Sequence, residues 1–302
     1  MNTSITSDWR LLLRGFYAFL IAIAVFWAMA RNAQGQHLYV TDQRGVRLGF
    51  VSEFNASTGG AINADFIGGL DSPSGIAVSD NVLFVTNTGR SGSIGKYDAT
   101  TGKAIKADFI TGLNGPRGLA VSGNVLFVTN TGRLNGRIGK YDAITGKAIK
   151  ADFITGLNSP RGIAVLDNIL FVTNVGQFNG RIGKYDATTG KAINASFIIG
   201  LVGPVGLAVS DKDNNLYVAV ERGHTVGKYN ATSGETITAR FITEVEFPSG
   251  LALYGNTLFV TNSLSRGFVA EYDATTGAAI RGRFITGLSR PNGIAVESAN
   301  QD

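Results

Sequence analysis

The chain has 302 residues, of which 44% are hydrophobic and 16% charged, and it contains 40 glycines and no cysteine. So apolar a composition excludes general disorder, and the lack of cysteine excludes disulfides and cysteine–metal chemistry. No basic run carries the net charge of +5, so nucleic acid is not expected as a partner.

Residues 1–35 have the order of a secretory signal. Arg10 and Arg14 precede the apolar run Phe16–Ala30, and the small residues Ala33 and Gly35 follow it. This run is shorter than the roughly 20 residues that a membrane-spanning helix needs. We therefore predict cleavage after Gly35, export to the periplasm or the extracellular space, and no permanent membrane span in the mature chain. A retained membrane anchor is the alternative.

The rest of the chain, residues 36–302, repeats one unit. Each unit contains four apolar segments, as in PRGLAVS, NVLFVTN, GRIGKYDA and GKAIKADFIT, bounded by Gly, Asn, Asp or Thr. Short segments rich in Val, Ile, Phe and Tyr predict strands, and four strands per period of about 44 residues are typical of a β-propeller blade. The prolines mark the period, at Pro73, Pro116, Pro160, Pro204, Pro248 and Pro291.

The two ends of this region predict how the ring closes. The segment HLYVTD after Gln36 matches the second strand of a blade, and PNGIAVES near the C-terminus matches the first strand of another. Pairing the strand near Ile294 with the strand near Tyr39 would complete a sixth blade and remove the exposed edges. We predict an all-β, six-bladed propeller with four antiparallel strands per blade, which acts as a monomer.

The run GLNGPRGLAVSGNVLFVTNTGRLNGRIGKYDAITG resembles the NHL-repeat propellers, although the chain contains no Asn-His-Leu triplet. The G-x-I-G-K-Y-D segment is similar to a strand of the streptogramin lyase propellers, and the blade count resembles the gluconolactonase and strictosidine synthase group. These resemblances imply the fold, which unrelated activities share. They also imply a metal near the channel, as in gluconolactonase-like propellers, or His and Glu in the channel, as in streptogramin lyases.

Several repeated residues have predicted structural roles. The Asp142-type residue should bond to its own turn while Gly146 takes a positive φ. Lysines recur in the third strand, where they either form a ring that attracts an anionic polymer or lie along the blade with their amines in water; they are Lys96, Lys140, Lys184 and Lys228. A phenylalanine series should pack between blades, at Phe66, Phe109, Phe153, Phe197, Phe241 and Phe284.

Functional residues are expected on one face. The loops before each proline and the loops between second and third strands should converge there, on what we call the top face. At the end of the second strand, oxygen-bearing side chains recur at Asp42, Asn87, Asn130, Asn174 and Asn262, while Val220 breaks the series and Glu221 follows it. Such side chains suit Ca²⁺ or another divalent cation. Alternatively, each amide closes its loop by an Asx-type hydrogen bond.

Two further sets of residues are candidates. Glu221 and His224 are three residues apart and could form an acid/base pair, unless His224 is an ordinary exposed loop residue. Arg117 and Arg161 follow consecutive prolines and, with Arg222, could recognise an anion or carboxylate; solvated arginines are the alternative.

The near-identity of the blades weighs against an enzyme, because catalysis needs differentiated groups at one point. Residues 116–159 and 160–203 agree at 31 of 44 positions. We therefore predict an exported propeller that binds a protein, glycan or small-molecule ligand through its top face. The alternatives are a metal-assisted lactonase, hydrolase or lyase at the channel mouth near Asp42 and Glu221, and a purely structural envelope protein.

Overall fold

A computed structural model describes residues 36–45, 48–89, 92–132, 135–176 and 179–297. The strands at the N-terminal end are β1 (His37–Gln43), β2 (Gly49–Asn55) and β3 (Ala61–Leu70). Blade 1 follows, with β4 (Pro73–Ser79), β5 (Val82–Asn87), β6 (Ser93–Asp98) and β7 (Ala104–Ile110). Blade 2 contains β8 (Pro116–Ser122), β9 (Val125–Asn130), β10 (Gly136–Asp142) and β11 (Ala148–Leu157).

Blade 3 contains β12 (Pro160–Leu166), β13 (Ile169–Asn174), β14 (Gly180–Asp186) and β15 (Ala192–Leu201). Blade 4 contains β16 (Pro204–Val209), β17 (Asn215–Val220), a 3₁₀ turn (Glu221–Gly223), β18 (Thr225–Asn230) and β19 (Thr236–Ile242). Blade 5 contains β20 (Pro248–Tyr254), β21 (Thr257–Asn262), β22 (Phe268–Asp273) and β23 (Ala279–Ile285), and β24 (Pro291–Val296) ends the described chain. Each blade is a four-stranded antiparallel sheet, which confirms the predicted propeller.

Blade 6 joins the two ends of the propeller. Its strand order is β24-β1-β2-β3, so the C-terminal strand is the innermost strand of a sheet that the N-terminal strands complete. Val40 lies opposite Ile294, and Tyr39 lies opposite Ala295. The predicted closure of the ring is therefore confirmed. The predicted signal, residues 1–35, lies outside the described residues. Among the residues that are described, no helix has the length and apolar character to cross a membrane.

The core lies between the blades. Each cluster of buried apolar side chains joins two consecutive blades; one combines Phe84 and Phe109 of blade 1 with Leu126 and Tyr141 of blade 2. The Phe109 ring and carbonyl lie against Gly146 of the next blade, where an added Cβ would be 2.6 Å from the carbonyl oxygen. This confirms that the phenylalanine series packs between neighbouring blades.

The innermost strands approach one another too closely for a side chain. A Cβ on Gly118 would be 2.2 Å from the carbonyl oxygen of Arg161 in the next blade, which explains the glycine two residues after each proline. A threonine of the second strand bridges the same seam: the Thr129 hydroxyl accepts a bond from Gly118 N and donates to Arg161 O, both at 2.7 Å. The corresponding residues are Thr41, Thr86, Thr173 and Thr261, with Ala219 in blade 4.

The hairpin between the two outer strands has the predicted turn. Asp142 Oδ1 accepts hydrogen bonds from the backbone of Ile144 and Thr145, and Gly146 has a φ of 76°. These bonds, led by the one from the Thr145 backbone, hold the pKa of the Asp142 carboxyl below its usual value.

The repeated lysines bridge neighbouring blades. Lys140 Nζ donates to Ala187 O of the next blade at 2.9 Å and lies 4.9 Å from the centre of the Phe153 ring. The other three amines make the same bond to the turn of the following blade, at Ala143, Ala231 and Ala274. The prediction that the amines lie in water is wrong, because each one caps a carbonyl across a blade seam.

Candidate functional site

The two predicted sets of loops meet on the top face. Backbone bonds join the loop after each second strand to the loop before the inner strand of the same blade: Thr131 N donates to Gly115 O at 3.0 Å, and Glu221 N donates to Gly203 O at 2.9 Å. This contact between loops places the start of every inner strand at the top end of the propeller axis. The residue after each proline therefore lies where the inner strands converge on the top face, a place that we call the channel mouth.

The channel mouth differs chemically from one side to the other. Its six post-proline residues are Ser74, Arg117, Arg161, Val205, Ser249 and Asn292. Ser249 Oγ and Asn292 Oδ1 are hydrogen-bonded at 2.7 Å across neighbouring blades. Arg161 Nη1 donates to Glu221 Oε2 of the next blade at 3.1 Å. The mouth therefore has a charged side and a neutral side.

Arg117 lies beside this ion pair, on the inner strand next to that of Arg161. Its side chain is half-buried. Burial lowers the pKa of the Arg117 guanidinium, the positive charge of Arg161 lowers it further, and the carboxylate of Glu221 opposes both effects. The structure thus brings Arg117, Arg161 and Glu221 together. Sequence reasoning proposed the two arginines as a pair but did not connect them to Glu221.

The amide series of the second strands contacts the loops before the inner strands. Asn262 Oδ1 accepts from Glu246 N at 2.8 Å, and Asn174 Oδ1 accepts from Asn158 N at 3.2 Å. Within the described chain, Oδ1 of Asn87 and of Asn130 is buried and has no hydrogen-bond partner. Asn174 and Asn262 thus tie one top-face loop to another, whereas Asn87 and Asn130 do not.

Asp42 occupies the same position in blade 6, where it is fully buried. Its carboxylate accepts from Ser289 N at 2.9 Å and Arg290 N at 2.8 Å, and Arg44 Nε donates to it at 3.2 Å. A cation would have to displace these bonds, and likewise the bond of Glu221 to Arg161. The described residues contain no group of three or more His, Asp or Glu side chains arranged to hold a metal ion. The Ca²⁺ site stays a prediction.

The structure does not bring the side chains of Glu221 and His224 together. Glu221 is bonded to Arg161, whereas His224 Nδ1 accepts from Phe247 N at 3.4 Å and the two rings meet edge-on at 4.6 Å. His224 and Phe247 both have a positive φ, 49° and 47°. For a residue as bulky as Phe this conformation is strained. Sequence reasoning did not identify Phe247, although four of the other five blades have Gly or Ser at this position before the proline.

Four top-face residues form a surface that we call the blade 4 patch: Val202, Arg222, His224 and Phe247. A Cβ built on Gly203 would lie 3.2 Å from Arg222 Cγ, and Gly203 directly follows Val202 in the chain. Val202 is 53% exposed and Phe247 is 42% exposed. The repeat has Asn114 and Asn158 at the position of Val202. Apolar side chains therefore replace polar or small ones at this patch.

Comparison with known proteins gives a family and two informative structural relatives. The family model described as outer membrane protein assembly factor BamB matches residues 47–282. No curated protein sequence matches the chain. A chain of a nidogen/laminin complex is similar in structure, with a TM-score of 0.72 and 19% identity over 87% of this chain and 98% of that one. TolB from Acinetobacter baumannii has a TM-score of 0.63 and 12% identity over 87% of this chain and 66% of that one. At these identities, both likenesses show the fold alone.

Proposed function

The chain belongs to the family of the outer membrane protein assembly factor BamB, and from this premise we propose that it is an exported propeller that binds a protein through its top face. The proposal of export rests on the signal-like order of residues 1–35 and on a family whose description places its work at the outer membrane. The solved chain of the nidogen/laminin complex supports it further, because a propeller of this shape is found there in a complex between proteins.

The blade 4 patch is the observation that carries this proposal. Exposed apolar residues beside charged ones are typical of protein-binding surfaces, where aromatic and arginine side chains supply much of the affinity. Phe247 is exposed and holds a left-handed backbone conformation that Gly115 and Gly203 take without strain. Neither its exposure nor its conformation favours folding, so a contribution to binding is the better explanation.

Site-specific crosslinking in the native cell envelope tests the proposal. A photoreactive residue would replace Val202 on the top face or, as a control, Tyr254, which is 42% exposed and ends β20 on the opposite face. We expect one protein, identified by mass spectrometry, to crosslink from position 202 and not from position 254. Crosslinks from position 254 alone, or from neither position, would contradict binding through the top face.

A further inference from the structure

The channel mouth holds more positive than negative charge. Arg117 and Arg161 begin adjacent inner strands, and Gly118 after Arg117 lies against the Arg161 carbonyl. Only one carboxylate among the described residues bonds to this pair: Glu221, at 3.1 Å from Arg161. The described side chains offer Arg117 no hydrogen-bond acceptor. Two guanidinium groups therefore lie near one carboxylate, which bonds to only one of them.

The rest of the mouth cannot compensate this excess. The other post-proline residues are Ser74, Val205, Ser249 and Asn292, all neutral, and Ser249 and Asn292 are bonded to each other. A half-buried charge without a partner is unfavourable, and a guanidinium presents planar N–H donors that match a carboxylate. Arg117, Arg161 and Glu221 together carry one positive charge in excess, which one monoanion would neutralise.

We propose that the channel mouth is a receptor for one carboxylate of the partner protein, an Asp or Glu side chain or a C-terminus. This proposal rests on the proposed function. The incoming carboxylate pairs with Arg117 and lies within the field of Arg161. Glu221 acts as an internal competitor: its bond to Arg161 lowers the charge that a ligand encounters. The charge balance favours a carboxylate over a phosphate dianion, which would leave one negative charge uncompensated.

Two substitutions that each remove one charge should then act in opposite directions. Arg117→Gln removes the group that receives the carboxylate, so affinity for it falls. Glu221→Gln removes the competitor and frees Arg161, so affinity rises. A general effect on folding or on loop order would move both variants in the same direction. Changes in affinity of opposite sign therefore distinguish a carboxylate receptor from a cluster that only stabilises the fold.

Binding of two short peptides, measured by fluorescence anisotropy, tests the receptor. Both probes are acetylated and amidated Ala/Ser peptides with one central residue, Glu in the first and Gln in the second. We expect the Glu peptide to bind at least about tenfold more tightly, and Arg117→Gln to abolish that difference. Glu221→Gln should tighten the Glu peptide several-fold. Arg266→Gln, a change at an exposed top-face arginine, should leave both affinities unaltered.

Three results of the peptide experiment would overturn the receptor: equal binding of the two peptides, shifts of the same sign in both variants, or inorganic phosphate competing more strongly than acetate. If Arg117→Gln fails to fold, Glu221→Gln still decides, because only the receptor predicts tighter binding from it. Crosslinking from position 202 that is unaffected by Arg117→Gln would leave the proposed function standing and the receptor refuted. Peptide binding as expected without that crosslinking would refute the top-face partner instead.

Discussion

The hydroxyl of Thr129 donates a 2.7 Å hydrogen bond to the backbone carbonyl of Arg161 in the next blade, and it accepts one of equal length from Gly118 N. One side chain thus joins two inner strands at the channel mouth. Thr41, Thr86 and Thr261 make the equivalent bonds in their own seams. Blade 4 has Ala219 instead, close to Gly206, so its seam with blade 5 lacks the bridge.

We expect Thr129→Val to lower the free energy of unfolding by about 1–3 kcal/mol, because it leaves a buried donor and acceptor unpaired. Conversely, Ala219→Thr should raise it by about 1 kcal/mol by supplying the missing bridge. Denaturant titration measures both changes. Ala219→Val is the control for added volume, and equal stabilisation by valine would show that the hydroxyl is not the cause.

Replacing Asp42 tests the closing blade and the Ca²⁺ prediction together. Asp42→Asn exchanges an acceptor oxygen for an NH₂ group that faces the backbone donors of Ser289 and Arg290. We expect it to lower the free energy of unfolding by about 2 kcal/mol, equally with and without Ca²⁺. Thermal unfolding in chelator and in Ca²⁺ measures this. Stabilisation of the unaltered chain by Ca²⁺ that disappears in Asp42→Asn would favour the metal site.

The lysine bridges can be tested one seam at a time. Lys140→Met keeps the apolar stem over Phe153 but removes the bond to Ala187 O, so we expect a loss of about 1–3 kcal/mol in the free energy of unfolding. Lys147→Met, at an exposed position in the same blade, should change it by less than about 0.5 kcal/mol. Similar losses in both variants would show that net charge, rather than the seam, is responsible.

Acid should weaken the outer turns. Hydrogen bonds from the turn hold the pKa values of Asp98, Asp142, Asp186 and Asp273 below the usual value, roughly 3.9. A lowered pKa in the folded state contributes stability that is present above the unfolded pKa and is lost as the pH falls through the folded pKa. Asn230 makes the same turn without titrating. Changing all four aspartates to Asn should therefore reduce the fall in the free energy of unfolding below about pH 4. An unchanged dependence of that free energy on pH would show that other groups cause the fall.

The sequence predicts those features that the repeat itself dictates. The prolines and apolar segments set the blades, the end segments set the pairing of Tyr39 with Ala295, and Phe109 packs where its period places it. The site, in contrast, is formed by contacts between different blades that do not recur with the repeat. Glu221 meets Arg161 from 60 residues away because blade 4 has a short 3₁₀ turn, and Lys140 reaches a carbonyl 47 residues ahead. Such partners depend on how neighbouring blades face each other, which one unit of the repeat does not show.

Replacing Phe247 distinguishes a role in partner binding from a role in the stability of the fold. Its φ of 47° belongs to the left-handed region, which Gly115 and Gly203 occupy at the same position of other blades. Phe247→Gly should therefore leave the free energy of unfolding unchanged or raise it by about 1 kcal/mol. It removes the exposed ring from the blade 4 patch, so crosslinking from position 202 should fall several-fold. Ser159→Gly is the matched control, because Ser159 has a φ of 49° and carries no aromatic ring; it should leave crosslinking unaltered. A Phe247→Gly variant that loses stability yet keeps its partner would show that the ring serves the fold and not the interface.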